Sequence, residues 1–161
     1  MKFHGAPERF EAVADLVGRH FDTNKIKYVA DVAGGQGMLS RILRKRYNCE
    51  CDVIDPREYG IVGVNRRVEC YVPDMATFYD LIIGLHPDQA LRPVVESSLY
   101  RPTIVVPCCN YWSAEKMGAK LMRQSIEEWY KAHNIRYVVE ELKIDTPHRF
   151  ALITFGPKIK G

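Results

Sequence analysis

An acid-bearing apolar strand that runs straight into a glycine-rich turn constrains this chain more than any other feature. Residues 28–37 read Tyr-Val-Ala-Asp-Val-Ala-Gly-Gly-Gln-Gly. A helical pattern follows at 38–47, and a second apolar strand at 51–54 ends in Asp55. Strand, glycine turn, helix, strand and acid mark a site for a ribose-bearing cofactor at the edge of a parallel sheet. Gly34, Gly35 and Gly37 let the backbone take positive φ and approach a ligand without an intervening Cβ. The unpaired N–H groups at the start of the helix favour a carboxylate or phosphate. Asp55 stands where the acidic partner of a ribose hydroxyl pair is expected, roughly 20 residues on from the strand end. A carboxylate there accepts two hydroxyl hydrogen bonds and repels a 2′-phosphate.

A dinucleotide fingerprint fits less well. Counted from Gly35 it runs Gly35, Gly37, Ser40, so the third glycine, which permits close helix–strand packing, is a serine. Asp31, just before the turn, suits a cationic group such as an amino-acid ammonium better than a pyrophosphate. An acid, a small residue and then Gly-x-Gly, as in the stretch from Asp31 through Ala33, Gly34, Gly35 and Gln36 to Gly37, resembles the first motif of the class I, Rossmann-like S-adenosylmethionine-dependent methyltransferases. Asp55 matches their second motif, and Asp74 in Tyr-Val-Pro-Asp-Met at 71–75 matches their third. The resemblance covers nearly the whole chain in element order. It implies an α/β, single-domain Rossmann-like methyltransferase fold over residues 1–161, with helices on both faces of a mostly parallel seven-stranded sheet. The implied strand order is 3-2-1-4-5-7-6, with an antiparallel C-terminal strand. It also implies S-adenosyl-L-methionine as cofactor. Asp31 and the Gly34–Gly37 turn would hold its amino-acid end, and Asp55 with Pro56 its ribose. Asp74 and Met75 would take the adenine, and Leu85 would lie beside the methyl group. Arg9, early in the first helix, is either a partner of the cofactor carboxylate or a solvated side chain.

Periodicity gives the elements independently. A helix is expected over 7–21, with Pro7 in its first turn. Strands are expected at 27–32, 51–54, 68–72, 80–85 and 103–106. A helical stretch at about 89–99 must break or restart at Pro93. A long helix is expected over 113–133, with Met117, Leu121, Met122, Ile126, Trp129 and Tyr130 facing the core. Strands at 135–144 and 150–155 form a closing hairpin pair.

The acceptor side carries fewer signals. The fourth strand ends in Gly-Leu-His-Pro-Asp-Gln at 84–89. The Asn/Asp-Pro-Pro-Tyr/Phe tetrapeptide of exocyclic-amine methyltransferases is absent there. His86 and Asp88 are candidates to orient or deprotonate an acceptor. Alternatively, His86 lines the cofactor pocket and Asp88 caps the next helix. The fifth strand ends in Val-Pro-Cys-Cys-Asn-Tyr-Trp-Ser at 106–113. RNA (cytosine-5) methyltransferases place a nucleophilic cysteine at this point, but their second cysteine is replaced here by the His86–Asp88 stretch. The segment more closely resembles a looser set of methyltransferases, some acting on tRNA, with Gly-x-His after strand four and Cys-Cys after strand five. Cys108 and Cys109 are therefore either catalytic or pocket walls. A thiol is nucleophilic only where its pKa is lowered, and no lysine or arginine adjoins them in sequence. Tyr111 and Trp112 either stack on a planar base or belong to the core or a lid.

Composition bounds the rest. The 161 residues, 47% hydrophobic and 27% charged, suit one globular domain. No signal pattern or membrane-length apolar run is visible, so a cytoplasmic protein with no membrane partner is expected. Five cysteines without paired C-x-x-C units argue against a disulfide framework and against structural zinc, so no metal is expected. Net charge of +3 and a pI near 8.6 give only a slight basic excess. The Arg41, Arg44, Lys45, Arg46 cluster is expected on a solvated helix face, and Lys158 with Lys160 in a frayed tail. The expected function is methyl transfer to RNA, tRNA or rRNA. A small-molecule or protein acceptor is the second possibility, and a non-catalytic binding domain the third. Substrate recognition would come from loops above the sheet, from the N-terminal segment, or from a partner chain or homodimer.

Overall fold

The computed structural model of the chain describes residues 7–58 and 60–157. Lys158 and Lys160 lie outside them. Strands β1 (Tyr28–Val32), β2 (Glu50–Ile54), β3 (Asn65–Arg67), β4 (Leu81–Leu85), β5 (Pro102–Val106), β6 (Tyr137–Glu141) and β7 (Phe150–Phe155) form one sheet. The order is β3-β2-β1-β4-β5-β7-β6. The first five strands run parallel, and β7 is antiparallel to both β5 and β6. This is the order that the motif resemblance implied.

Helices cover both faces because the central strands are apolar on both sides, as buried parallel strands are. Successive side chains alternate faces. Val29, Leu81, Ile83, Ile104, Val106, Ala151 and Ile153 pack toward α1 (Arg9–His20) and α2 (Met38–Tyr47). Ala30, Val32, Ile82, Val105 and Leu152 pack toward α3 (Leu91–Glu96) and α4 (Ala119–Ala132). Each such aliphatic side chain, fully buried, contributes roughly 1.5–3 kcal/mol. The polar pair on β5 and β7 is satisfied internally. Thr103 and Thr154 face each other across β5 and β7 and share a 2.8 Å hydroxyl hydrogen bond.

Three elements differ from the sequence expectation. The third strand is at 65–67, not 68–72. Asn65, Arg66 and Arg67 pair with Asp52, Val53 and Ile54. The chain then turns, with the Glu69 amide donating to the Arg67 carbonyl, and Val68 and Val72 are left exposed. The long helix starts at Ala119, not 113. Asn110 and Ser113 explain the delay, because their side chains bind the loop backbone and compete with helix formation. The Asn110 carboxamide accepts from the Trp112 and Ser113 amides and donates to the Glu115 carbonyl, while Ser113 Oγ accepts from the Glu115 amide. Leu121 accordingly points outward at 52% exposure, while Met122, Ile126 and Tyr130 are buried. Pro93 neither breaks nor restarts its helix. It occupies the first turn of α3, flanked by 3-10 turns at Asp88–Ala90 and Ser97–Leu99, where an amide would lack an intrahelical partner anyway.

Candidate functional site

The carboxyl end of β1 makes a tight, fully specified turn. Ala33 takes φ +52° and donates its amide to the Ile54 carbonyl at 2.8 Å, tying the turn to β2. Gly34 has no alternative, because a Cβ there would lie 2.5 Å from the Asp31 carboxyl group. Gly35 and Gly37 are left-handed at φ +59° and +93°. The Gly37 amide closes the turn on the Gly34 carbonyl, and α2 begins. Gln36 holds the outer loop through its carbonyl, which accepts from the Ile61 amide.

Asp31 lies beneath this turn instead of opening onto a ligand. It is 1% exposed, and its Oδ2 accepts from Ser40 Oγ at 2.7 Å. Burial pushes its carboxyl up to about 6, although the Ser40 hydrogen bonds pull the other way. The serine at the third glycine position of the fingerprint is thus the partner of the buried acid.

Asp55, at the carboxyl end of β2, is also 1% exposed, but it is surrounded by donors. Oδ1 accepts from the Arg57 amide and Nε, each at 2.9 Å. Oδ2 accepts from the Gly35 amide at 3.0 Å and from an Arg57 terminal nitrogen at 2.7 Å. Burial raises its pKa, but these bonds outweigh it and hold the carboxyl below the ordinary value. Arg66, from β3, donates to the Gly35 and Arg57 carbonyls and fastens the same corner.

Asp55 lines a cavity of about 420 Å³ at the carboxyl edge of the sheet, within the range of small-molecule sites. Ala33, Ile54 and Pro56 share that wall, with Cys70 and Tyr71 on one side and Asp88, Gln89 and Tyr111 on the other. Asp74 and Met75 do not line it. They sit on the 3-10 helix Pro73–Phe78, where Asp74 is exposed and Met75 packs on the core. The strand expected at 68–72 ends at 67, which puts Cys70 and Tyr71 at the cavity in their place. Leu85 is buried in the sheet's other core and does not line the cavity. Trp112 is 7% exposed, edge-on to Trp129 and beneath the Arg92 guanidinium, so it is a core residue and not a stacking platform. Tyr111 is exposed at the cavity wall.

Beside this cavity, β4 and β5 bring their terminal polar residues together. His86 and Asp88 both adopt φ +50°, a conformation that favours glycine and concentrates at functional loops. His86 Nε2 lies 2.9 Å from the His148 carbonyl. A carbonyl only accepts, so Nε2 carries the proton. Burial lowers the His86 pKa, which leaves Nδ1 with a lone pair at neutral pH. Cys108 Sγ donates to Asp88 Oδ1 at 3.3 Å. Burial, then Asp88, pushes this thiol up to about 12. It is therefore protonated at neutral pH and is not an activated nucleophile. Asp88, Cys108 and Cys109 offer three ligand atoms within 4.8 Å of one another. Arg9 approaches Cys108 from α1, stacked over Phe10, and does not line the cavity.

No protein-family model matches the sequence, and no curated protein matches it. Solved structures do match its fold. A SAM-dependent methyltransferase from Aquifex aeolicus is 17% identical with a TM-score of 0.57, and the match covers 92% of each chain. One from Archaeoglobus fulgidus is 14% identical with a TM-score of 0.57, over 92% of this chain and 96% of the other. The chain has the class I methyltransferase fold. A 1,6-didemethyltoxoflavin-N1-methyltransferase from Burkholderia thailandensis, solved with S-adenosylhomocysteine bound, shares it at 10% identity and a TM-score of 0.58. That match covers 90% of this chain and 76% of the other.

Within this methyltransferase fold, sequence reasoning missed Arg57, Arg66, Cys70, Tyr71 and Gln89. Arg57 was the one with a legible signal, a cation two residues after the strand-end acid. Among the described residues no helix is long and apolar enough to cross a membrane.

Proposed function

We propose that the protein is an S-adenosylmethionine-dependent methyltransferase, acting through a single domain, with RNA as the methyl acceptor. The observation that carries the cofactor assignment is Asp55. It is a carboxylate at the end of β2, hydrogen-bonded to the glycine turn and facing a cavity of about 420 Å³. Its four acceptor positions are filled by Gly35 and Arg57, so the Arg57 side chain must release two of them for ribose hydroxyls to enter. Ile54, Tyr71 and Pro93 supply apolar wall for the adenine. The amides of Met38 and Leu39, at the start of α2 and without an intrahelical acceptor, suit the carboxylate of the amino-acid end. Asp31 acts through the turn, bonding Ser40, and does not touch the ligand.

When bound, the cofactor supplies a methyl group on a positively charged sulfur. The chain's own residues supply position and a dry, shaped approach. Asp88 and neutral His86 stand where the acceptor would be oriented and a proton accepted, and exposed Tyr111 offers a face for a base. Cys108 stays protonated and bonds Asp88. A small-molecule acceptor is the second reading, favoured by the toxoflavin-type acceptor of the Burkholderia thailandensis neighbour.

The test is transfer from methyl-labelled S-adenosylmethionine into separated RNA and metabolite fractions. Label in RNA supports the first reading. Label confined to metabolites replaces it with the second, and no label in either removes both.

A further inference from the structure

Behind the β5 end lies a second cavity, of about 320 Å³, lined by residues other than those of the Asp55 cavity. It is walled by Pro107, Lys120, Arg123, His148, Arg149 and Phe150. Among its lining residues there are three cations and no carboxylate. Arg123 and Arg149 both stack over the Phe150 ring, at 4.2 and 5.5 Å, which fixes their guanidinium groups. Arg149 is tied to Glu141 at 2.7 Å, and Arg123 stands 3.7 Å from Glu127. Lys120 makes no ion pair among the described residues.

One polar atom here lacks a partner. His148 Nδ1 is buried without a hydrogen bond among the described residues, whereas Arg123 Nε, also without one, faces Glu127 in the 3.7 Å ion pair. Buried polar groups are nearly always satisfied, so each such atom calls for an explanation. The start of α4 faces the same space. Its first residue, Ala119, is in the wall, its Gly118 cap contributes no side chain, and its first turn holds no acid. The free amides there add positive potential to the three side chains.

We propose that this cavity binds a phosphate group of the methyl acceptor, which Lys120, Arg123 and His148 hold while the atom to be methylated lies in the neighbouring cavity. Naming the ligand as the acceptor rests on the methyltransferase reading; the phosphate site does not. The two cavities are linked through the chain: Pro107 of this wall precedes Cys108, which bonds Asp88 of the other, and the His148 carbonyl accepts from His86, which precedes Pro87 of the other.

The test uses the full chain and calorimetry. The probes are uridine, uridine 5′-monophosphate, inorganic pyrophosphate and a short single-stranded RNA, with S-adenosylhomocysteine titrated in parallel. The phosphate-bearing probes are expected to bind better than uridine. Lys120→Glu and Lys120→Gln should weaken them by about tenfold or more, as loss of a charged hydrogen bond implies. Lys45→Glu, on the exposed face of α2, should leave them unchanged. RNA binding that responds to Lys120 while the monophosphate does not bind assigns a polynucleotide phosphate; the reverse assigns a small phosphorylated acceptor. Phosphate probes that bind no better than uridine, or that ignore Lys120, overturn the proposal. Lys120-dependent phosphate binding without S-adenosylhomocysteine binding leaves the site standing and removes the methyltransferase reading instead.

Discussion

Asp31 and Asp55 are both strand-end acids and both 1% exposed, yet their surroundings drive them in opposite directions. Asp55 has four donors and is held below the ordinary carboxylate range, whereas Asp31 has Ser40 and is pushed up to about 6. The consequence for stability has a definite sign. Between its unfolded pKa of about 3.9 and about 6, the folded state binds more protons at Asp31 than the unfolded state, so stability falls as pH rises through that window. Above it the buried charge costs up to about 3 kcal/mol. Asp31→Asn keeps the shape and an acceptor for Ser40. It should abolish this slope and make the protein more stable than wild type at neutral pH, as measured by urea unfolding at several pH values. An unchanged slope would place the titrating group elsewhere. At the cysteines, a protonated Cys108 predicts that Cys108→Ser retains cofactor binding and most methyl transfer. A loss above about a hundredfold in kcat would mean the thiol reacts.

The glycine turn is the element whose sequence and structure agree most closely, because its geometry is dictated locally. Gly34 faces the Asp31 carboxyl within 2.5 Å, so Gly34→Ala should cost about 2–3 kcal/mol and lower Tm by about 5–10 °C. A thermal melt that matched wild type would show that the turn can shift to accommodate a Cβ. The central strands were equally legible, since β-branched runs bounded by turn residues allow few alternatives. The third strand was not, because Asn65, Arg66 and Arg67 carry no apolar signal and pair only through backbone contacts with β2. The valines after them mimicked a strand while standing in solvent. The short β3 also leaves Cys70 and Tyr71, and not Asp74 and Met75, at the Asp55 cavity. The start of α4 was hidden for a different reason. Asn110 and Ser113 bind backbone over a few residues, a contact that helical periodicity cannot reveal.

At the scale of the molecule, one sheet divides two apolar layers and gathers Asp55, His86, Asp88 and Cys108 at the carboxyl edge of its parallel strands, where open α/β sheets bind ligands. Strand order was readable because it follows from motif order along the chain. The inward tuck of Trp112 and the cationic cavity were not, since each depends on side chains from distant segments. The central claim is that the Asp55 corner holds S-adenosylmethionine. Calorimetric titration of S-adenosylhomocysteine into wild type and Asp55→Ala, with NAD as a control, addresses it most directly. The account predicts micromolar binding to wild type, none of NAD, and a loss of about tenfold or more in Asp55→Ala. Absence of binding to wild type, or full affinity in Asp55→Ala, would contradict it.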